Sequence, residues 1–289
     1  MTFFSKNIIK KTKIIGMFPL ILVAISACDT HDGQKIDLKY NTLVWSDEFD
    51  GTSGTLPDAT KWTYDLGTGD NGWGNGELQS YTNRPQNVSL DGKGNLVITA
   101  IKESYGSSGY TSARIKTKGI LEQKYGRFEA RLISPYSQGL WPAFWMLGNN
   151  IEVGDDLDPL TVKWPFCGEI DIMEIRGQKP STMSSALHGP GYSGANPILN
   201  AYTLINDRFD TGYHIYAAEW SENQIDFFVD GYLFKRITKA EVEAKGEWVY
   251  DHPFFLILNV AVGGSFSGNP NDSSIFPQTM TIDYVRVYQ

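Results

Sequence analysis

The chain is short of cysteine, short of long apolar runs and short of positive charge. Two cysteines in 289 residues exclude a scaffold built on disulfides. Its one extended apolar run, residues 14–27, falls below the ~20 residues that a membrane-spanning helix needs. Lys and Arg number 25 against 33 Asp and Glu, a net charge of −8. That field repels polyanions, so nucleic acid and anionic lipid headgroups are poor partners. No internal repeat, low-complexity tract or linker divides residues 43–289. What the chain does hold is glycine (29) and aromatic side chains, with 15 Phe, 8 Trp and 15 Tyr. A hydrophobic fraction of 41% with 20% charged residues excludes a mainly disordered chain. The length suits one large or two small domains.

The N-terminus is set apart from the fold. Lys6, Lys10, Lys11 and Lys13 precede the apolar run, and Cys28 follows it. A basic prefix and a short apolar core make a signal peptide over residues 1–27. Ile25-Ser26-Ala27-Cys28 resembles a bacterial lipobox, which implies cleavage before Cys28 and lipidation of its sulfur. Loss of the leader removes four lysines and no acid, so −8 becomes −12. Cys167 is then the one thiol left, and no internal disulfide can form. Residues 28–42 read as a flexible tether, and the lipid as the one membrane attachment. Outer-membrane location is expected, and Asp29 and Asp32 resemble the acidic start of surface-export tethers.

From Leu43 the pattern is strand and turn. Leu96-Val97-Ile98-Thr99-Ala100 is rich in β-formers and follows the turn Asp91-Gly92-Lys93-Gly94. In residues 125–132, Phe128, Ala130 and Leu132 alternate with Arg127, Glu129 and Arg131. Asp230-Gly231 between two apolar runs predicts a hairpin. Residues 254–262 and 282–288 read as further strands, and only residues 239–244 look helical. Many short strands with Gly-rich turns need a second sheet to bury one face, so an all-β sandwich of two antiparallel sheets is expected.

The chemistry concentrates in Gly168-Glu169-Ile170-Asp171-Ile172-Met173-Glu174-Ile175. On a strand, Glu169 and Asp171 share one face while Ile170 and Ile172 enter the core. Glu174 would fall on the wrong face unless a β-bulge at Ile172-Met173 restores the phase. Three carboxylates so close repel each other, and one must hold a proton near neutral pH. An ionised nucleophile beside a general acid is what retaining cleavage of a glycosidic bond requires. A solvated acidic face and a divalent cation site are the competing readings. Tryptophan nearby, in Trp141-Pro142-Ala143-Phe144-Trp145 and at Trp164, favours sugar, because a pyranose has an apolar face that stacks on indole.

These segments resemble glycoside hydrolase family 16 in its bulged, laminarinase-like form. The resemblance rests on the acidic strand and on further stretches in family order. They are Trp45-Ser46-Asp47-Glu48-Phe49-Asp50-Gly51, Gly74-Asn75-Gly76-Glu77-Leu78-Gln79, Tyr81-Thr82-Asn83-Arg84, Gly139-Leu140-Trp141, Leu187-His188-Gly189-Pro190, Asn259-Val260-Ala261-Val262-Gly263-Gly264 and Asp283-Tyr284-Val285-Arg286. It implies a concanavalin A-like β-jelly roll with a concave cleft over residues 43–289. It also implies that Glu169 is the nucleophile, Glu174 the acid/base and Asp171 the carboxylate that orients and tunes them. Trp141 and Trp145 correspond to sugar-stacking positions, and Asn75, Arg84 and His188 to hydroxyl-binding ones. No cofactor is implied for catalysis. A structural Ca²⁺ is, held by the Asp283 side chain with carbonyls of Glu48 and Gly94. Gly76 and Ser80 stand where many relatives carry Asn and Tyr, which puts one wall of the cleft in doubt. The activity so implied is endo-hydrolysis of neutral β-1,3-glucan, mixed β-1,3/1,4-glucan, or both, by a monomer. A non-catalytic glucan-binding protein, a metal-dependent lectin and a hydrolase of galactans are the alternatives.

Overall fold

The computed structural model describes residues 1–2, 33–151 and 161–289. Most of the leader, Cys28 and the acidic loop residues Asp155, Asp156 and Asp158 lie outside the described residues. The rest forms two sheets face to face, a β-jelly roll. In the larger sheet the central strands are Gln224–Val229, His214–Ser221, Gly126–Ile133 and Gln278–Tyr288. The smaller, seven-stranded sheet runs in the order Ile198–Thr203, Thr182–His188, Glu169–Ile175, Leu140–Gly148, Phe254–Val262, Arg114–Lys116, Thr63–Asp65. All its pairings are antiparallel. One pair departs from the expected antiparallel plan: Gln79–Tyr81 runs parallel to Ser108–Ser112 on the edge of the larger sheet.

Alternation places the core. Phe128, Ala130 and Leu132 are fully buried between the sheets, as are Phe144, Met146, Leu256, Leu258 and Val260. A second, smaller apolar cluster of Leu147, Cys167, Phe255 and Ile257 lies on the other face of the small sheet. Partly buried Ile151 and Val162 pack on it from the following loop, closing one flank of the concave face. The Asp230-Gly231 hairpin forms as expected, with φ of 51° and 79° at its two turn residues. Both values are positive, which matches the right-handed twist of the flanking strands. The Lys239–Glu243 helix also forms, capped by Thr238 and closed by a reciprocal bond to Glu241.

Residues 33–42 correct the expected tether. Gln34–Lys35 pair with Tyr232 and Leu233 as an added edge strand. The Lys39 N–H donates to both oxygens of Glu219 at 3.2 Å, and Thr42 and Gln289 exchange backbone hydrogen bonds. Strand addition to a distant edge leaves no local signature, so a polar stretch reads as linker. Here it is a strap on the outer sheet.

Candidate active site

The small sheet curves around its outer face, and the acidic strand Glu169–Ile175 lies near its middle. Glu169 stands opposite His188 on one side and Leu147 on the other. Asp171 stands opposite Ala186 and Trp145, and Glu174 opposite Ser184 and Ala143. Between them the register slips: Phe144 faces Met173 and Trp145 faces Asp171, leaving Ile172 without a partner. That is the expected bulge. The Ser185 hydroxyl donates to the stranded Ile172 carbonyl at 2.7 Å, so the slip is held by a hydrogen bond. It puts Glu169, Asp171 and Glu174 on the concave face and returns Ile170, Ile172 and Ile175 to the core.

The carboxylates are poorly hydrated. Asp171 is 3% exposed and Glu174 9%. Among the described residues no Lys or Arg forms an ion pair with any of the three. The Trp164 indole donates to Glu169 Oε2 at 2.9 Å, and the Trp141 indole to Glu174 Oε1 at 2.8 Å. Among the described residues the cation nearest to them is His188, whose Nε2 lies 3.2 Å from Asp171 Oδ2 and 3.8 Å from Glu169 Oε1; Arg114 acts on Glu169 from further off. Burial opposes charge on His188, but the hydrogen bond to Asp171 and the field of the carboxylates outweigh it and push its pKa up to about 9. At neutral pH that nitrogen carries a proton and not a free lone pair, which disfavours the metal reading of Glu169, Asp171 and His188. Their donor atoms do cluster within 4.8 Å of one another.

Burial, with repulsion from Asp171, raises the pKa of both Glu169 and Glu174. The two are not equivalent. Glu169 faces His188 and accepts from Trp164; Glu174 faces two other carboxylates and is pushed further up. The last proton of the cluster therefore rests on Glu174, and Glu169 ionises first. Two glutamates on the same strand face thus differ in what surrounds them.

The sequence-derived binding residues divide. Trp141 is in the cleft, but its ring packs on Phe266 at 4.9 Å and its nitrogen serves Glu174. Trp145 has one face covered by the Arg114 guanidinium at 4.7 Å, and its indole donates to Asn259 Oδ1 at 2.7 Å. The open indole is Trp164, 41% exposed. Asn75 donates to Glu77 at 3.2 Å and sits in a glycine-rich turn, Gly72–Gly76, whose backbone is left-handed at Trp73 (φ 55°) and Gly74 (φ 79°). That turn packs on Gly264: a Cβ placed there would meet Asn75 O at 3.2 Å and Trp141 at 3.4 Å. His188, expected to bind sugar hydroxyls, turns its Nε2 to Asp171 and Glu169, while its Nδ1 has no hydrogen-bond partner among the described residues. Arg84 is not joined to the carboxylates. It donates to Asn87, Thr111 and Glu103 and lies 4.6 Å over the Tyr105 ring.

Arg114 and Glu77 escape the pattern reading as participants, and Trp164 enters it only as a nearby tryptophan. Arg114 lies 4.9 Å over Trp73 and pairs with Asp65. Glu77, held up in pKa by burial, accepts from Gln79, Asn75 and Tyr81. Trp164 holds Glu169 from a loop. Glu77 lies in a quoted motif, and Trp164 five residues before Glu169; Arg114 has no such mark. The cation set fares less well. The Glu48 carbonyl does lie beside Gly94, whose Cβ position is 3.8 Å from it. The Asp283 carboxylate, however, is taken by Arg131, and the Glu48 carboxylate by Arg286. The set as it stands does not fit a Ca²⁺ without displacing Arg131.

The family model for glycosyl hydrolases family 16 matches residues 75–286. The chain belongs to this family. It is 38% identical to a β-glucanase of Rhodothermus marinus over 98% of this chain and 97% of that one. Among solved structures, the laminarinase catalytic domain of Thermotoga maritima shares 47% identity and superposes with a TM-score of 0.78, covering 86% of this chain and 98% of that one. The endo-β-1,3-glucanase of Pyrococcus furiosus shares 44% identity with a TM-score of 0.78, covering 86% and 94%. The chain is a glycoside hydrolase.

Proposed function

We propose that the protein is an endo-acting, retaining β-glucanase acting on β-1,3-glucan, mixed β-1,3/1,4-glucan, or both. The observation that carries this is the split environment of two glutamates on one bulged strand. Glu169 Oε1 attacks the anomeric carbon and forms a glycosyl ester. Glu174 gives its proton to the departing glycosidic oxygen, so the leaving chain departs as an alcohol. With Glu174 now ionised, it takes a proton from water, which displaces Glu169 and restores the anomeric configuration. Asp171, between them, holds His188 and keeps Glu174 hard to ionise. The cleft is flanked by Trp164, Trp145 and Asn259, which supply an apolar platform and hydrogen-bonding groups without a net basic patch. That suits an uncharged glucan, and the relatives named above are β-glucan hydrolases by name. The test is release of reducing ends from laminarin and barley β-glucan, with the product anomer read by NMR. Initial appearance of the α anomer, or no release from either glucan, overturns the reading. We further propose that lipidation at Cys28 holds a monomeric enzyme at a bacterial membrane.

A further inference from the structure

The strap changes what a lipid at Cys28 would do. The described strap begins at Gly33, with Gln34–Lys35 bonded to the Tyr232–Thr238 edge of the larger sheet. Cys28 lies five residues upstream in sequence, so whatever their conformation the intervening residues span at most about 17 Å. A folded domain of this length has a radius of gyration of about 18 Å. The link is therefore shorter than the domain is wide, and the opposite edge cannot reach the surface to which the lipid is fixed. A tether of residues 28–42 would have allowed either.

The edge that carries the strap is also one end of the cleft. The Tyr202 and Phe234 rings meet at 5.0 Å. They join the Ile198–Thr203 strand, outermost in the small sheet, to the strand that receives the strap. Cleft residues are spread across strands and not along one: His188, Glu169, Trp145, Asn259 and Arg114 stand on five neighbours in the sheet order. The groove thus runs perpendicular to the strands, from the Ile198–Thr203 edge to the Thr63–Asp65 edge. Leu38 on the strap and Leu199 on the near edge strand are 42% and 45% exposed.

We propose that the strap edge is a membrane-facing surface whose partner is a lipid bilayer, with the His188 end of the cleft toward the bilayer and the Arg114 end away from it. The proposal rests on lipidation at Cys28.

The test uses the full-length, lipidated chain in phosphatidylethanolamine vesicles containing a headgroup-linked acceptor dye. A donor fluorophore is placed at Lys235→Cys, beside the strap, or at Asp70→Cys, toward the far end, with buried Cys167 left in place. Energy transfer at least twofold greater from position 235 than from 70 is expected. Inserting twelve Gly/Ser residues between Asp32 and Gly33 should shrink the difference. Equal transfer from both positions in vesicle-bound protein, or a difference unaffected by the insertion, overturns the orientation. A chain that stays soluble, carries no lipid by mass spectrometry and behaves like Cys28→Ser overturns the anchor reading itself.

Discussion

The two sheets each carry a cluster of buried acids, and the clusters are built on opposite principles. On the larger sheet, Glu129 accepts from Arg127 at 2.7 and 2.9 Å and from the Tyr284 hydroxyl at 2.9 Å. Asp226 is gripped by both ends of Arg236 at 2.7 Å. Glu219 lies 3.6 Å from Arg127 and takes the Lys39 N–H of the strap. On the small sheet, buried Asp171 and Glu174 and the less buried Glu169 share one histidine and two indoles. Guanidinium pairs fix the charge of an acid and the protein gains little more than order. Indole donors leave charge uncompensated, so a proton must stay on one member. The first cluster holds the strap down; the second keeps a proton ready for a leaving group. The difference teaches that the compensating groups, not the acids, decide which cluster is reactive.

The comparison breaks most sharply at Glu169. Glu169→Gln keeps shape and hydrogen-bond capacity but cannot form the glycosyl ester, so kcat/KM should fall by about 10⁴-fold or more with the circular dichroism spectrum unchanged. Retained activity in a folded variant would remove Glu169 from its role. On the other sheet, Arg127→Met leaves Glu129 and Glu219 without their guanidinium. Unfolding in urea should show a loss of about 3–5 kcal/mol, with specific activity per folded molecule unchanged.

His188→Gln removes the nearest cation from the reactive cluster. Both glutamates then ionise less readily, so the whole bell of kcat/KM against pH should move to higher pH, with about 10–100-fold lower activity at pH 6. In the parent enzyme the acid limb should already lie above 4.5, because Glu169 is raised above that value. An unmoved profile would show that His188 does not govern the proton. His188 also links to stability. Its folded pKa of about 9 exceeds the ordinary 6.5, so its contribution is complete below pH 6.5 and is lost as pH rises through 9.

The smallest effect concerns the cost of reactivity. Glu174 has a raised folded pKa, so its protonated form favours the fold at low pH. That advantage declines as pH rises above the unfolded value of 4.5. Glu174→Gln should therefore raise stability at pH 8 by roughly 1 kcal/mol, a few degrees in Tm, and by less at pH 5. A lower Tm at pH 8 would show that the cluster is not under strain.

Much of this was legible in the chain. The bulge followed from one observation: Ile175 and Glu174 must exchange faces relative to a regular strand, and Ile172 is unpaired in the structure as that demands. Alternation placed Phe128, Ala130 and Leu132 in the core, and Asp230-Gly231 at a hairpin. The proximity of the three carboxylates followed from spacing; their individual roles are what the family resemblance implies. Less legible were residues whose partners lie far along the chain. Arg114 reaches Trp145 only because Arg114–Lys116 joins the sheet beside Phe254–Val262. Arg84 looks like a cleft residue in its motif, yet its partners Glu103 and Thr111 come from other strands.

The sequence by itself determined the class of fold and the three acids, because hydrophobic period and carboxylate spacing are properties of adjacent residues. Only the tertiary structure decided what compensates those acids. Trp141, Trp164 and His188 reach them from two neighbouring strands and a loop, and the relative energies of their protons depend on those distances. It also decided that residues 33–42 are a strap, since an edge strand is bonded by backbone groups that every residue carries alike.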